Sequence, residues 1–245
     1  MLINVILAFM IIGSFLAAIA LHESGHALMA SLLGDSTPRS EGRQSLSLRA
    51  HLDALGTILC LILAFYPALA GPVGLGWGKP VKTDPWKLRG GPNGGTLIVA
   101  LVGPLFSLSI GLLFALLLRV MPLSLFTNDF AIRLPQLLTV FASVNISLAI
   151  FNLIPLYPLD GYQIVYTLLP TRQAVQFAKS VPYGPFIILA LFFLLPFLAQ
   201  FTGLGDLFIF RIPYYVLIGS LNLIALVTGQ PFDTVFTLYF YRLIL

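Results

Sequence analysis

Charge is what this chain most lacks. Asp, Glu, Lys and Arg make up 9% of its 245 residues, while 58% are hydrophobic; a soluble domain carries roughly 25% charged residues. That balance excludes a soluble globular fold and indicates an integral membrane protein. The formal net charge is only +4. No nucleic-acid partner is expected on that charge, and the basic residues are read as reporting membrane orientation. A single cysteine, Cys60, excludes an internal disulfide, and in its apolar run it reads as packing. No internal repeat, low-complexity stretch or soluble domain is visible. The first apolar run has no basic leading region and no small-residue cleavage pattern before His22, so it is expected to stay as a helix and not be removed as a signal peptide.

What is abundant is apolar sequence in blocks. A membrane-crossing helix needs about 20 apolar residues. Five segments suffice, at about 2–28, 96–120, 134–154, 184–202 and 207–228. A sixth, about 56–70, is shorter and runs into Pro67, Gly71, Pro72, Gly74, Gly76 and Gly78, which break a helix before it has crossed. Loops are expected at 34–55, 78–95, 121–133, 155–183 and 229–245, the aromatic tail PFDTVFTLYFYRLIL lying at the membrane interface.

The scarce ionisable residues are not scattered. Of three histidines and two glutamates, three stand together as His22-Glu23-Ser24-Gly25-His26 inside the first apolar run. Charged groups are costly in a span and point to function. Positions i and i+4 share a helix face, so both imidazoles can bind one Zn²⁺, and Glu23 can act as general base on water. The competing reading is a pair of core histidines bonded between helices. For Glu23 it is a structural ion pair, although no Lys or Arg lies in the first span.

A zinc hydrolase site usually has three protein ligands and an open position for water. Asp160, in Asn152-Leu-Ile-Pro-Leu-Tyr-Pro-Leu-Asp160-Gly161, is the best candidate for the third; as an Asp-Gly pair it could instead simply make a turn. It reaches the depth of His26 only if segment 56–77 dips in and returns. Re-entry also gathers Arg39, Arg43, Arg49, Lys79, Lys82, Lys87, Arg89, Arg172, Lys179 and Arg242 on one face and leaves Arg119, Arg133 and Arg211 on the other, ten against three. A full span gives six against seven, which is no bias. The positive-inside rule then puts the N-terminus outside and the site toward the cytoplasm.

With LHESGHALMA, EGRQSLSLRAHLDALGT, GWGKPVKTDPWKLRGG, ALVGPLFSL and NISLAIFNLIPLYPLDGY in that order over roughly residues 10–165, the chain resembles the site-2 proteases, in their compact bacterial form without a PDZ or CBS domain. The resemblance implies an intramembrane zinc metalloprotease with His22, His26 and Asp160 as ligands, Glu23 as general base, and Asn152 holding the scissile peptide or its oxyanion. Two positions depart from the family pattern. Ser107 stands where G-P-x-x-N ends in Asn, and Ala54 replaces a Pro in the loop motif HLDALG.

The expected fold is an all-α polytopic membrane protein. A three-helix catalytic core (about 2–30, 96–120, 134–154) carries a re-entrant segment at about 56–77 and two further C-terminal spans. The expected division is a protease core over 1–165 and C-terminal helices with an interfacial tail over 166–245. The expected activity is zinc-dependent hydrolysis of peptide bonds in or near transmembrane segments of protein substrates, as in regulated intramembrane proteolysis, at a bacterial plasma membrane; the sequence leaves the oligomeric state open. The alternatives are an ion-coupled transporter, which would predict inverted repeats, and a catalytically silent relative that binds membrane partners. Residues 71–83, too rich in Gly and Pro for helix, are a candidate platform for an extended substrate. Asn152 could instead cap its helix. Asn145 reads as an interhelical hydrogen bond, His51 and Asp53 as structural, and Trp77 and Trp86 as interfacial anchors. Ser24 and Gly25 read as small residues that let another helix approach.

Overall fold

A computed structural model describes residues 4–65, 72–126 and 130–241. Among these, the regular structure is helical, with one isolated β-bridge. Five helical runs are long and apolar enough to cross a membrane: Val5–Leu32, Gly91–Arg119, Arg133–Asn152, Thr171–Thr202 and Phe208–Thr228. The expected helix-breaking positions Pro67 and Gly71 lie outside the described residues, as does Arg242.

Helix α1 (Val5–Leu32) starts where the Asn4 side chain accepts a hydrogen bond from the Leu7 N–H at 3.1 Å, the usual N-cap device. Helix α2 (Ala54–Phe65) is capped by Asp53, whose carboxylate accepts from the Gly56 N–H at 3.0 Å. The chain then comes back alongside α2. Val73 N–H donates to Leu63, Leu52 bridges Gly78 in antiparallel fashion, and Lys79 N–H donates to His51 at 2.7 Å. Entry and exit of this excursion therefore lie side by side. Gly56 and Gly76 make the return possible: a Cβ on Gly56 would strike the Trp77 backbone, and one on Gly76 would strike the Gly56 carbonyl.

Helix α3 (Gly91–Arg119) and helix α4 (Arg133–Asn152) both place a proline in the first turn, where its missing N–H costs nothing. They run antiparallel, with Gly111 against Ile146 and the Phe114 and Phe141 rings 4.5 Å apart. Both pack on α1. Leu32, Gly91 and Asn152 thus share one end of the core, and Val5, Arg119 and Arg133 the other.

Beyond α4 the chain is more helical than its hydropathy suggests. The stretch expected as a loop over 155–183 forms α5 (Asp160–Leu168) and α6 (Thr171–Ala178). The first is a separate nine-residue helix, and the second opens the helical run Thr171–Thr202, which begins well before the apolar block at 184. Helices α7 (Gly184–Leu189) and α8 (Leu195–Thr202) follow, joined by one π turn. Helix α9 (Ile212–Thr228) then packs antiparallel to α4, since the Ser143 and Ser220 hydroxyls meet at 2.7 Å and Arg119 donates to the Val227 carbonyl at 3.2 Å.

That direction corrects one sequence expectation, the side on which Arg211 lies. Gly184 packs on the Tyr157 backbone, and the tightly turned residues 203–211 hand the chain to α9 in the half that holds Asn152. Arg211 therefore sits in that half, not opposite it. The tail helix α10 (Phe232–Tyr239) sits at the far end beside Gln136, where Tyr239 is fully buried and its hydroxyl donates to the Pro72 carbonyl at 2.8 Å. Removing that hydroxyl strands a buried acceptor. Tyr239→Phe is expected to cost about 1–3 kcal/mol, read as a lower unfolding midpoint in detergent.

Candidate metal centre

Three elements deliver the central cluster. One face of α1 turns His22 and His26 inward, and the first residue of α5 brings Asp160 to them. His22 Nε2 lies 2.9 Å from Asp160 Oδ2, His26 Nε2 lies 3.1 Å from Asp160 Oδ1, and the two Nε2 atoms are 3.2 Å apart. Both histidines are buried. These are the three side chains among the described residues whose ligand atoms meet closely enough to hold one ion.

The donor set fits zinc. Ligands about 2.0–2.2 Å from a tetrahedral centre stand roughly 3.3–3.5 Å from one another, a little wider than the spacing here. Each imidazole is also held from behind. His26 Nδ1 donates to the Val99 carbonyl at 2.8 Å, and His22 Nδ1 meets the Ser107 hydroxyl at 2.9 Å. The first bond fixes the tautomer with an Nε2 lone pair facing Asp160, the usual outer support of a metal-binding histidine. The His26 lone pair and a carboxylate oxygen converging in a buried place repel one another unless a cation or a shared proton lies between them, and with His22 in the same tautomer a cation suits all three. Gly103 on α3 faces this cluster, and a Cβ there would collide with both imidazoles.

Ser107, where the sequence departs from the family pattern, thus supports His22. Its hydroxyl lies 2.9 Å from His22 Nδ1 and would accept that N–H when Nε2 holds a metal. Ser107→Ala is expected to weaken zinc binding by about 10–100-fold, measured by competition with a chromophoric chelator.

Glu23 stands outside the triangle. It lies against Gly78, where no Cβ would fit beside its carboxylate, and with His26, Asp160 and Asn152 it lines a cavity of about 330 Å³. Asn152 donates one amide hydrogen to Leu148 at 2.9 Å, which leaves its second N–H for the cavity. Pro104 supplies no N–H to the helix, so the Ala100 carbonyl, also on the cavity wall, lacks its ordinary helical partner.

Another wall is the stretch 77–85, which has no helix or strand before the short 3-10 turn that begins at Pro85, and which contributes Trp77, Pro80, Val81 and Thr83. Trp77 is buried there at 3% exposure, whereas Trp86 is 84% exposed; of the two expected anchors, only Trp86 reaches the surface. The loop 34–55 holds this wall through Arg43 and Asp35, neither of which the sequence singled out. Burial by itself raises the Asp35 carboxyl, but hydrogen bonds from Thr37 and Asp84 and the nearby Lys87 charge hold it below the usual carboxylate range.

His51 and Asp53 do not reach the cluster. His51 is fully buried, with Nε2 donating to the Ser45 carbonyl at 2.5 Å. Burial pushes its imidazole below the ordinary value, and Arg43 adds to that. Asn145 donates to Phe141 of its own helix and not to a neighbour. Gly25 does admit a close approach, by Phe106 of α3.

Known proteins resemble this chain over much of its length. Residues 122–195, which contain Asn152 and Asp160, match the family described as peptidase family M50. The chain is 30% identical over 182 residues to the "Putative zinc metalloprotease YwhC" of Bacillus subtilis (strain 168), covering 73% of this chain and 78% of that protein. No solved structure matches. With that similarity spanning most of both chains, and an all-helical fold apolar enough for a membrane, this chain belongs to peptidase family M50, the site-2 proteases, and is a membrane metalloprotease.

Proposed function

We propose that the chain is an intramembrane zinc endopeptidase that cuts within or near transmembrane segments of membrane proteins, as in regulated intramembrane proteolysis. The observation that carries this reading is the meeting of His22, His26 and Asp160 at a buried cavity that Glu23 also lines. His22, His26 and Asp160 would hold Zn²⁺. Bound there, the ion supplies Lewis acidity, polarising the scissile carbonyl and making water acidic enough to ionise near neutral pH.

The remaining steps belong to the chain. Glu23 takes the proton of the attacking water and returns it to the leaving amine. Asn152 turns its second amide hydrogen toward the oxyanion. A helical substrate hides its carbonyls in its own hydrogen bonds, so it must unwind before it is cut. The wall at 77–85 suits the unwound strand. Among the described residues, Val81, Lys82 and Thr83 make no backbone hydrogen bonds, so a peptide can pair there by strand addition. Proline substitution in this wall is expected to abolish cleavage.

The site is proposed to face the cytoplasm. Of the twelve Lys and Arg among the described residues, ten lie in the half holding the cluster, and Arg119 and Arg133 lie at the far end. A bacterial plasma membrane suits this bias. The test is to purify the protein in detergent, count zinc per chain, and assay model transmembrane substrates with and without chelator. One zinc per chain with chelator-sensitive cleavage supports the reading. A folded protein that takes up no zinc would defeat the ligand assignment and favour a transporter.

A further inference from the structure

The stretch Lys79–Asp84 is tied at both ends by charged side chains from the loop 34–55, and both are buried, Arg43 at 4% exposure and Asp35 at 0%. Arg43 donates to the Ala50 carbonyl, to the Lys79 carbonyl at 3.1 Å and to the Pro80 carbonyl at 3.3 Å. Its nearest carboxylate, Glu41, is 3.9 Å away, so backbone carbonyls are its principal partners. Asp35 accepts from the Asp84 N–H at 2.7 Å and from the Thr37 N–H at 3.0 Å. Between these anchors lie Val81, Lys82 and Thr83, with unpaired backbone groups, while Pro80, Val81 and Thr83 line the catalytic cavity.

A buried guanidinium is costly unless its donors are met, and the Arg43 fork meets three carbonyls from two segments. The stretch 79–84 has no helix or sheet to fix it, and pairing with a peptide would have to order it first. Fixing both ends from outside removes most of that cost without using the backbone groups in the middle.

We propose that Arg43 and Asp35 are positioning residues that hold Lys79–Asp84 extended, so that Val81, Lys82 and Thr83 present a preformed edge to the unwound substrate. The proposal rests on the protease reading. It assigns the two residues to substrate binding, not to zinc or proton transfer. Lysine cannot replace Arg43, because one ammonium lacks the planar fork that reaches separate carbonyls.

The experiment compares wild type with Arg43→Gln, Arg43→Lys and Asp35→Asn in the full-length, zinc-loaded protein. It reads KM and kcat on a transmembrane substrate that the wild type cuts, zinc per chain, and amide exchange by mass spectrometry. Each variant is expected to raise KM by about tenfold or more while kcat and zinc content hold. Exchange over 79–84 should quicken, with α3 and α4 as protected as before. Unchanged KM, or a fall in kcat at unchanged KM, would overturn the proposal. So would full rescue by Arg43→Lys, or a loss of protection across α3 and α4 in all the variants, since Arg43 and Asp35 would then be holding the fold. A wild type that cuts no substrate defeats the protease reading instead, and the exchange pattern still reports whether the two anchors order the wall.

Discussion

Glu23→Gln is expected to bind one zinc per chain, as the wild type does, and to lose cleavage by about 10²–10⁴-fold. The expectation follows from where the carboxylate stands. It is one residue from His22, yet it lies against Gly78 on the cavity wall, apart from the triangle of ligand atoms. Glutamine keeps the shape and the hydrogen-bonding reach but cannot take a proton. Metal content and turnover should therefore separate in this one variant. Zinc lost together with activity would make Glu23 a ligand or a structural residue. Activity retained with zinc bound would move the general base elsewhere.

Asp160→Asn should have the opposite profile, losing metal first and activity as a consequence. Its carboxylate oxygens approach both Nε2 atoms, at 2.9 and 3.1 Å, and it is the only anionic member of the set. An amide oxygen offers a weaker ligand and no charge. Zinc affinity is expected to fall by at least about 100-fold, beyond what loss of an outer support such as Ser107 does. A ligand that binds only the folded state raises stability by mass action, so added zinc should raise the unfolding midpoint of the wild type and leave that of Asp160→Asn nearly flat. Equal zinc-induced shifts in the two proteins would remove Asp160 from the ligand set.

Local patterns were legible because local geometry produces them. The five apolar blocks reappear as helical runs, since about 20 apolar residues in a row have one stable form in a bilayer. His22 and His26 share a face because they are four apart on a helix. Ser107 drew attention as a departure from a family pattern, and its link to His22 needs α1 and α3 packed antiparallel. Arg43 counted in the sequence only toward membrane orientation, and Asp35 carried no signal. Only the folded loop shows them buried against a stretch of chain some forty residues away. Trp77 and Trp86 have the same basic, Gly/Pro-rich surroundings in sequence, yet one is buried at the cavity and the other faces out.

The sequence by itself determined the class of molecule, the apolar blocks that build it and the pair of histidines with the glutamate between them. Composition and i, i+4 spacing are properties of the chain alone. Tertiary structure decided that Asp160 meets those histidines, that Ser107 and Val99 hold them, that α9 returns Arg211 to the site's half, and that the tail packs at the far end. Each of these depends on which way an apolar helix runs after it forms. Hydropathy carries no sign for that direction, whereas packing and buried hydrogen bonds do.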